Sequence, residues 1–191
     1  LTLFLYFFLS FSLPLFLSFL SHSLLFLLPP PREKRKGREE MNTENFASVE
    51  HHFEAGLSTV WDVIKHFDDF AWGGYGEDSV FNVNGCRSTE IGCQRRINLP
   101  DGESYVIEDL EKFEEGSDGV RVFGYTIVEY KLQGNPQFRD YHAEVQLKGD
   151  DAKTTVTWST KYISPNKGDH EALFKGIFDG ALTKLKQNLA V

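Results

Sequence analysis

From residue 45 onward apolar and polar side chains alternate in a series of short runs, and only twice does the spacing lengthen to the three-and-four step of a helix. Residues 45–54 form the first run and predict a strand, with Ala47, Val49, His51 and Phe53 on its inner face. Gly56-Leu57-Ser58 ends it. Ser58 can cap a helix that starts at Thr59 and carries Val60, Trp61, Ile64 and Phe67 on one side, ending near His66, with a second short turn at 68–70. Further strands are predicted at 79–84, in the hairpin 92–113, and at 120–129, 140–148 and 153–163. The last segment, 170–188, returns to helical spacing. Asp169 is its expected cap, and Leu173, Phe174, Ile177, Phe178, Ala181, Leu182, Leu185 and Leu189 make a wide apolar stripe that must be buried. Only the concave face of a sheet offers a large enough partner. The pattern therefore predicts an α+β fold in which a curved antiparallel sheet of about seven strands wraps a long C-terminal helix, with two short helices after the first strand.

The hairpin breaks the simple pattern. Pro100-Asp101-Gly102 is a tight-turn signal, so Cys93, Arg95, Ile97 and Leu99 share one face of the first strand and Val106, Glu108 and Leu110 share one face of the second. Each apolar row contains one charge. An inward arginine and an inward carboxylate are costly unless they pair or meet a polar ligand, so the two readings are a structural ion pair and a polar spot inside a cavity. Tyr125, inward on the next strand, could assist at such a spot. The pocket between sheet and terminal helix would be lined by Phe123, Tyr141, Trp158, Phe174 and Phe178, with Trp72 and Tyr75 of the glycine-rich run 71–77 covering its opening. Gly176 and Gly180 lie four apart in the helix and are expected to make room for the cavity or to pack closely on a strand.

Composition narrows the classes. The whole chain carries −8, and residues 1–40 hold five Lys/Arg against three Glu, so the remainder carries −10. A domain this acidic repels phosphate backbones, and no nucleic-acid role is expected. Six scattered histidines form no metal motif, the glycine-rich run lacks GK[ST], and no nucleotide or cofactor signature is present, so neither metal nor cofactor is expected. Cys86 and Cys93 are read as small buried or incidental residues rather than a cross-link.

Residues 1–28 are apolar enough to cross a bilayer, and a basic flank follows. The charges come after the apolar run rather than before it, and the run starts with Leu, so it does not read as a secretory signal. Leu, Phe, Ser and Pro are what a pyrimidine-rich message yields in any frame, as Arg, Lys, Glu and Gly are of a purine-rich one. The expectation is that residues 1–40 are a translated leader and that a cytoplasmic domain runs from Met41 to 191. If the leader is real, the protein is membrane-anchored or secreted.

The phrases FEAGLSTVWDVIKHFDDFAWG, GCQRRINLPDGESYVIEDLEKF, VTWSTKYIS and ALFKGIFDGALTKLKQNL, in this order, resemble the START-like (SRPBCC) superfamily that includes the birch pollen allergen and the polyketide cyclase/dehydrase proteins. That resemblance covers residues 41–191 and implies the helix-grip fold and an internal cavity for a small hydrophobic molecule. The hairpin is similar to that of the plant lachrymatory factor synthase branch, which implies that Arg95 holds the oxygen of a small polar substrate while Glu108 moves a proton. Three functions follow from these readings: binding of an apolar ligand oriented by Arg95 and Glu108, a cyclase, dehydratase or isomerase using the same pair, or regulation of a protein partner through the 71–77 segment.

Overall fold

The computed structural model of the chain describes residues 43–116 and 118–190, so the expectations for residues 1–40 lie outside the described residues. Seven antiparallel strands form one sheet: β1 (Thr43–Phe53), β2 (Val80–Asn82), β3 (Gln94–Asn98), β4 (Tyr105–Glu115), β5 (Val120–Lys131), β6 (Arg139–Gly149) and β7 (Thr154–Ser164). Their spatial order is β1-β7-β6-β5-β4-β3-β2, so sequential neighbours pair except where β1 closes on β7. Helix α1 (Leu57–Ile64) and a short 3-10 turn (Ala71–Gly73) follow β1, and helix α2 (Glu171–Leu189) ends the described chain. The α+β architecture read from the alternation, an antiparallel sheet around a long C-terminal helix, is the one observed. Among the described residues no helix is long and apolar enough to cross a membrane.

The core lies between the concave sheet face and the two helices. Phe174, Phe178, Ala181, Leu182 and Leu185 of α2 are buried, and Phe178 stacks on Trp158 of β7 with ring centroids 4.5 Å apart. Phe174 meets Tyr162 at 4.8 Å and Tyr141 at 5.1 Å. A fully buried aromatic of this size contributes on the order of 3 kcal/mol by area alone.

Several local expectations are corrected. Ser58 does not cap α1, because the helix begins two residues earlier than expected, at Leu57, whose N–H donates to the Asp150 carbonyl of the β6–β7 turn at 2.8 Å. The close approach of that turn leaves no space at Gly56, where an added Cβ would sit 2.5 Å from the Asp151 carbonyl oxygen. Asp169 does not cap α2 either. Its carboxylate instead accepts from the Asn166 backbone and side chain, and its carbonyl accepts from the Tyr162 hydroxyl at 2.6 Å. Gly176 and Gly180 are exposed with nothing near their absent side chains, so they neither open the cavity nor pack on a strand. Leu173 and Ile177, expected in the buried stripe, are 45% and 39% exposed. Finally, Cys86 and Cys93 are joined by a disulfide, since the chain between β2 and β3 folds back until their Cα atoms are 5.2 Å apart, inside the range a disulfide needs.

Candidate functional site

The β3–β4 pairing sets Arg95 directly opposite Glu108, and both side chains face the core. Arg95 is 2% exposed and Glu108 5%. A register shift between Ile107 and Glu108 leaves Val128 of β5 unpaired, a bulge in the strand beside Glu108 of the kind that re-aims side chains within a ladder. The Arg95 Nε donates to Glu108 Oε2 at 2.6 Å, and its Nη1 donates to the Phe67 carbonyl at 2.8 Å. Phe67, Phe70 and Tyr125 surround the guanidinium, with ring centroids 4.2, 4.9 and 5.3 Å from its carbon. Among the described residues Glu108 Oε1 and the Arg95 Nη2 group have no hydrogen-bonding partner, and neither is sealed from the adjoining space.

That space is a cavity of about 240 Å³ between the sheet and α2, walled mostly by apolar side chains. Burial pushes the Glu108 carboxyl above the usual carboxylate range, and Arg95 offsets part of that rise. Burial is also the main reason the Tyr125 and Tyr141 hydroxyls are held well above the usual phenol range, so both stay protonated near neutral pH. Tyr125 oxygen accepts from Trp158 Nε1 at 3.2 Å, which leaves its O–H to donate. Tyr75 is raised for the same reason, reinforced by the Glu108 charge. The polar spot therefore offers a cationic donor, neutral phenol donors and one carboxylate oxygen, and the buried ion pair is electrically neutral as a whole.

The structure brings Arg95, Glu108 and Tyr125 together at one wall of the cavity, with Tyr75, Tyr141, Trp158, Phe174 and Phe178 also lining it. Trp72 and Phe123 are buried in the core and do not line it. Sequence reasoning missed the mouth. Leu99, Asp101 and Ser104 of the β3–β4 turn, Leu132, Gln133 and Pro136 after β5, and the exposed Leu173 and Ile177 of α2 surround it. Asp101 accepts from the Ser104 backbone and hydroxyl at 2.7 and 2.5 Å, which holds its carboxyl below the usual range. Ser104 Oγ in turn accepts from the Gln133 N–H at 3.1 Å, tying the two loops together. Turn and loop residues carry no periodicity, so only the position of Leu173 and Ile177 on α2 could have pointed here. Among the described residues no cluster of His, Cys, Asp and Glu could hold a metal ion.

Residues 47–190 match the model of the family described as polyketide cyclase / dehydrase and lipid transport. Solved structures with the same fold include a protein from Nitrosospira multiformis, with TM-score 0.62 and 22% identity, covering 74% of this chain and 94% of that one. XoxI from Bacillus cereus gives TM-score 0.61 and 24% identity over 75% and 94% of the two chains. An uncharacterized protein from Bacillus thuringiensis gives 0.59 and 20% over 76% and 99%. No curated protein matches the chain.

Proposed function

We propose, for a chain that belongs to the polyketide cyclase / dehydrase and lipid transport family, that it binds a small, neutral, largely apolar molecule in the cavity beneath α2, with Arg95 and Glu108 orienting the polar end of that molecule. The observation that carries this reading is the buried pair with an unused donor group and an unused acceptor oxygen beside an apolar cavity. Polar atoms held away from bulk water without partners are costly, and a ligand carrying an acceptor and a donor would satisfy both.

Size and charge limit the ligand. A cavity of about 150 Å³ accepts benzene, so about 240 Å³ suits a molecule of roughly one to two rings. The pair already cancels its own charge. A carboxylate ligand would add a net negative charge beside Glu108 and would pass Asp101 at the mouth, and an ammonium would meet Arg95. A neutral ligand with a carbonyl-like acceptor fits best, since donors outnumber acceptors at the polar spot.

The test is a titration of the domain with 2-acetylnaphthalene followed by tryptophan fluorescence, as Trp158 forms part of the cavity wall. Saturable 1:1 quenching that is lost in Val106→Trp, a variant that fills the cavity from β4, is the expected result. Absence of saturation, or quenching that survives Val106→Trp, overturns the reading.

A second reading, a cyclase, dehydratase or isomerase, is favoured by one observation: Glu108, a carboxyl with a raised pKa, lines the same cavity as the protonated Tyr125 and Tyr141. Glu108 would move a proton at carbon while Arg95 and Tyr125 hold the developing negative charge on oxygen. Glu108→Gln separates the two functions, because it leaves binding of an apolar probe nearly intact and abolishes any turnover that needs proton transfer.

A further inference from the structure

The Arg95 guanidinium is held by two groups, Glu108 and the carbonyl of Phe67. Phe67 belongs to no helix or strand. It follows α1 in an irregular stretch, so its position depends on what its backbone meets. The Phe67 N–H donates to the Ser88 carbonyl at 3.3 Å, and its neighbours are tied the same way: His66 Nδ1 lies 3.3 Å from Ser88 Oγ, and Asp68 Oδ2 accepts from Asn82 Nδ2 at 3.1 Å. Asn82 Nδ2 also donates to the Cys86 carbonyl at 2.9 Å. Ser88 sits in the loop that the Cys86–Cys93 disulfide closes, and Asn82 is the last residue of β2, paired with Arg95 across the sheet. Cys93 is fully buried, and Arg95 lies two residues further along the same face.

The two ends of this chain of contacts differ in stiffness. Cys93 is fixed to the sheet, because its carbonyl accepts from the Leu110 N–H at 2.9 Å and the Gly92 N–H donates to the Leu110 carbonyl at 2.8 Å. Residues 83–92 belong to no strand. The start of the loop is tied to the sheet by the Asn82 side chain of β2, which accepts from the Gly85 N–H at 2.8 Å and donates to the Cys86 carbonyl at 2.9 Å, and the cross-link adds the covalent tie between Cys86 and the fixed Cys93.

We propose that the Cys86–Cys93 disulfide is a thiol-sensitive clamp that positions Arg95 in the cavity through Ser88 and Phe67. The proposal rests on the ligand-binding reading above and adds a regulator to that site. Cys93 is fully buried and Cys86 only half-buried, so Cys86 is the side from which a small external monothiol would approach. Its thiolate attacks Cys86 Sγ, the S–S bond breaks, and Cys93 leaves as a thiolate that takes up a proton. A second thiol then attacks the mixed disulfide and releases Cys86 as a thiol. Two electrons and two protons pass from two small thiols to the protein, which ends with two thiols, and one small-molecule disulfide forms. Freed from the cross-link, the start of the loop is held by hydrogen bonds alone, the Ser88 carbonyl holds Phe67 less firmly, and the second of the two anchors of Arg95 loosens.

The experiment compares two probes of equal shape, 2-acetylnaphthalene and 2-isopropenylnaphthalene, which differ only in a carbonyl oxygen against a methylene. Affinities are measured by calorimetry for the oxidised protein, the protein reduced by a small thiol, and Cys86→Ser, which cannot form the cross-link. Reduction is expected to weaken the ketone by about tenfold, the scale of one hydrogen bond from a charged donor, and the alkene by less than about twofold. Cys86→Ser should match the reduced protein and ignore thiol. A disulfide that serves only to hold the fold would weaken both probes together, and that result, or no change in either, overturns the proposal. If neither probe binds the oxidised protein, the ligand-binding reading fails. The clamp is then decided by the Arg95 Nε–H proton resonance in an NMR spectrum: it shifts or broadens on reduction if the clamp exists, and an unchanged resonance refutes it.

Discussion

Replacing Arg95 by Met isolates the energetics of the polar spot. Met has similar length and fills the guanidinium's slot among Phe67, Phe70 and Tyr125, but leaves Glu108, 5% exposed, with no counter-charge. Breaking a buried pair from one side costs about 3–5 kcal/mol, a large share of the roughly 5–15 kcal/mol that stabilises a typical domain. The carboxyl can escape that cost by taking a proton. Burial already raises its pKa in the folded protein, and loss of Arg95, the main offset, raises it further. The folded state then holds a proton that the unfolded state has released, so stability falls as pH rises. The fall begins near the ordinary carboxylate value, continues until the folded carboxyl has ionised, and has a limiting slope of about 1.4 kcal/mol per pH unit.

The assay is urea unfolding followed by tryptophan fluorescence from pH 4.5 to 8. Other carboxylates titrate over the same range, so the informative quantity is the difference between Arg95→Met and Arg95→Met/Glu108→Gln, in which only Glu108 has been removed from the titration. The two variants are expected to be similar in stability at the acid end and to diverge by about 2 kcal/mol or more at pH 7. Parallel curves would mean that Glu108 is solvated after all, and the account of a buried polar spot would fail.

Gly176→Ala and Gly180→Ala should each stabilise the domain by about 0.5–1 kcal/mol, because both face solvent inside α2, and a melting temperature that falls instead would show contacts there. Phe178→Ala removes a ring stacked on Trp158 and should cost about 3–5 kcal/mol in urea unfolding. Ile177→Glu, at the exposed mouth, should change stability by less than about 0.5 kcal/mol yet weaken an apolar probe measurably, and equal affinity would remove Ile177 from the route of access.

The fold was largely legible because each strand has one wet and one dry face. Tyr141, Ala143, Val145 and Leu147 are buried as their alternation requires, and the same alternation placed Arg95 and Glu108 on the inner face of their strands. What escaped was set by relations between segments. Ser58 reads as a cap, yet the start of α1 is decided by an Asp150 carbonyl some ninety residues away in sequence, a contact no local pattern encodes. The disulfide escaped for a similar reason, since two cysteines in one short chain carry no signal of pairing until the loop between them is known to fold back. Phe67 was recognised as apolar, but its decisive group is a backbone carbonyl, which every residue has. Helical periodicity identified Leu173 and Ile177 as apolar on the inward side of α2, and erred in treating inward as buried: at those two positions the helix faces the open mouth rather than the sheet.

This distinction between inward and filled bears on the ion pair. Substituting a buried pair by apolar residues of similar volume is often neutral or stabilising by about 1–4 kcal/mol, so the fold does not require charge at Arg95 and Glu108. The double variant Arg95→Met/Glu108→Leu is therefore expected to unfold at equal or higher urea concentration than the parent, and to bind 2-acetylnaphthalene no better than its methylene isostere. Stability kept and discrimination lost would identify the pair as a recognition device set into a cavity wall. A loss of more than about 3 kcal/mol with discrimination intact would make it a structural brace, because a pair whose worth lies in holding β3 to β4 cannot be replaced by grease, whereas one whose worth lies in meeting a ligand can.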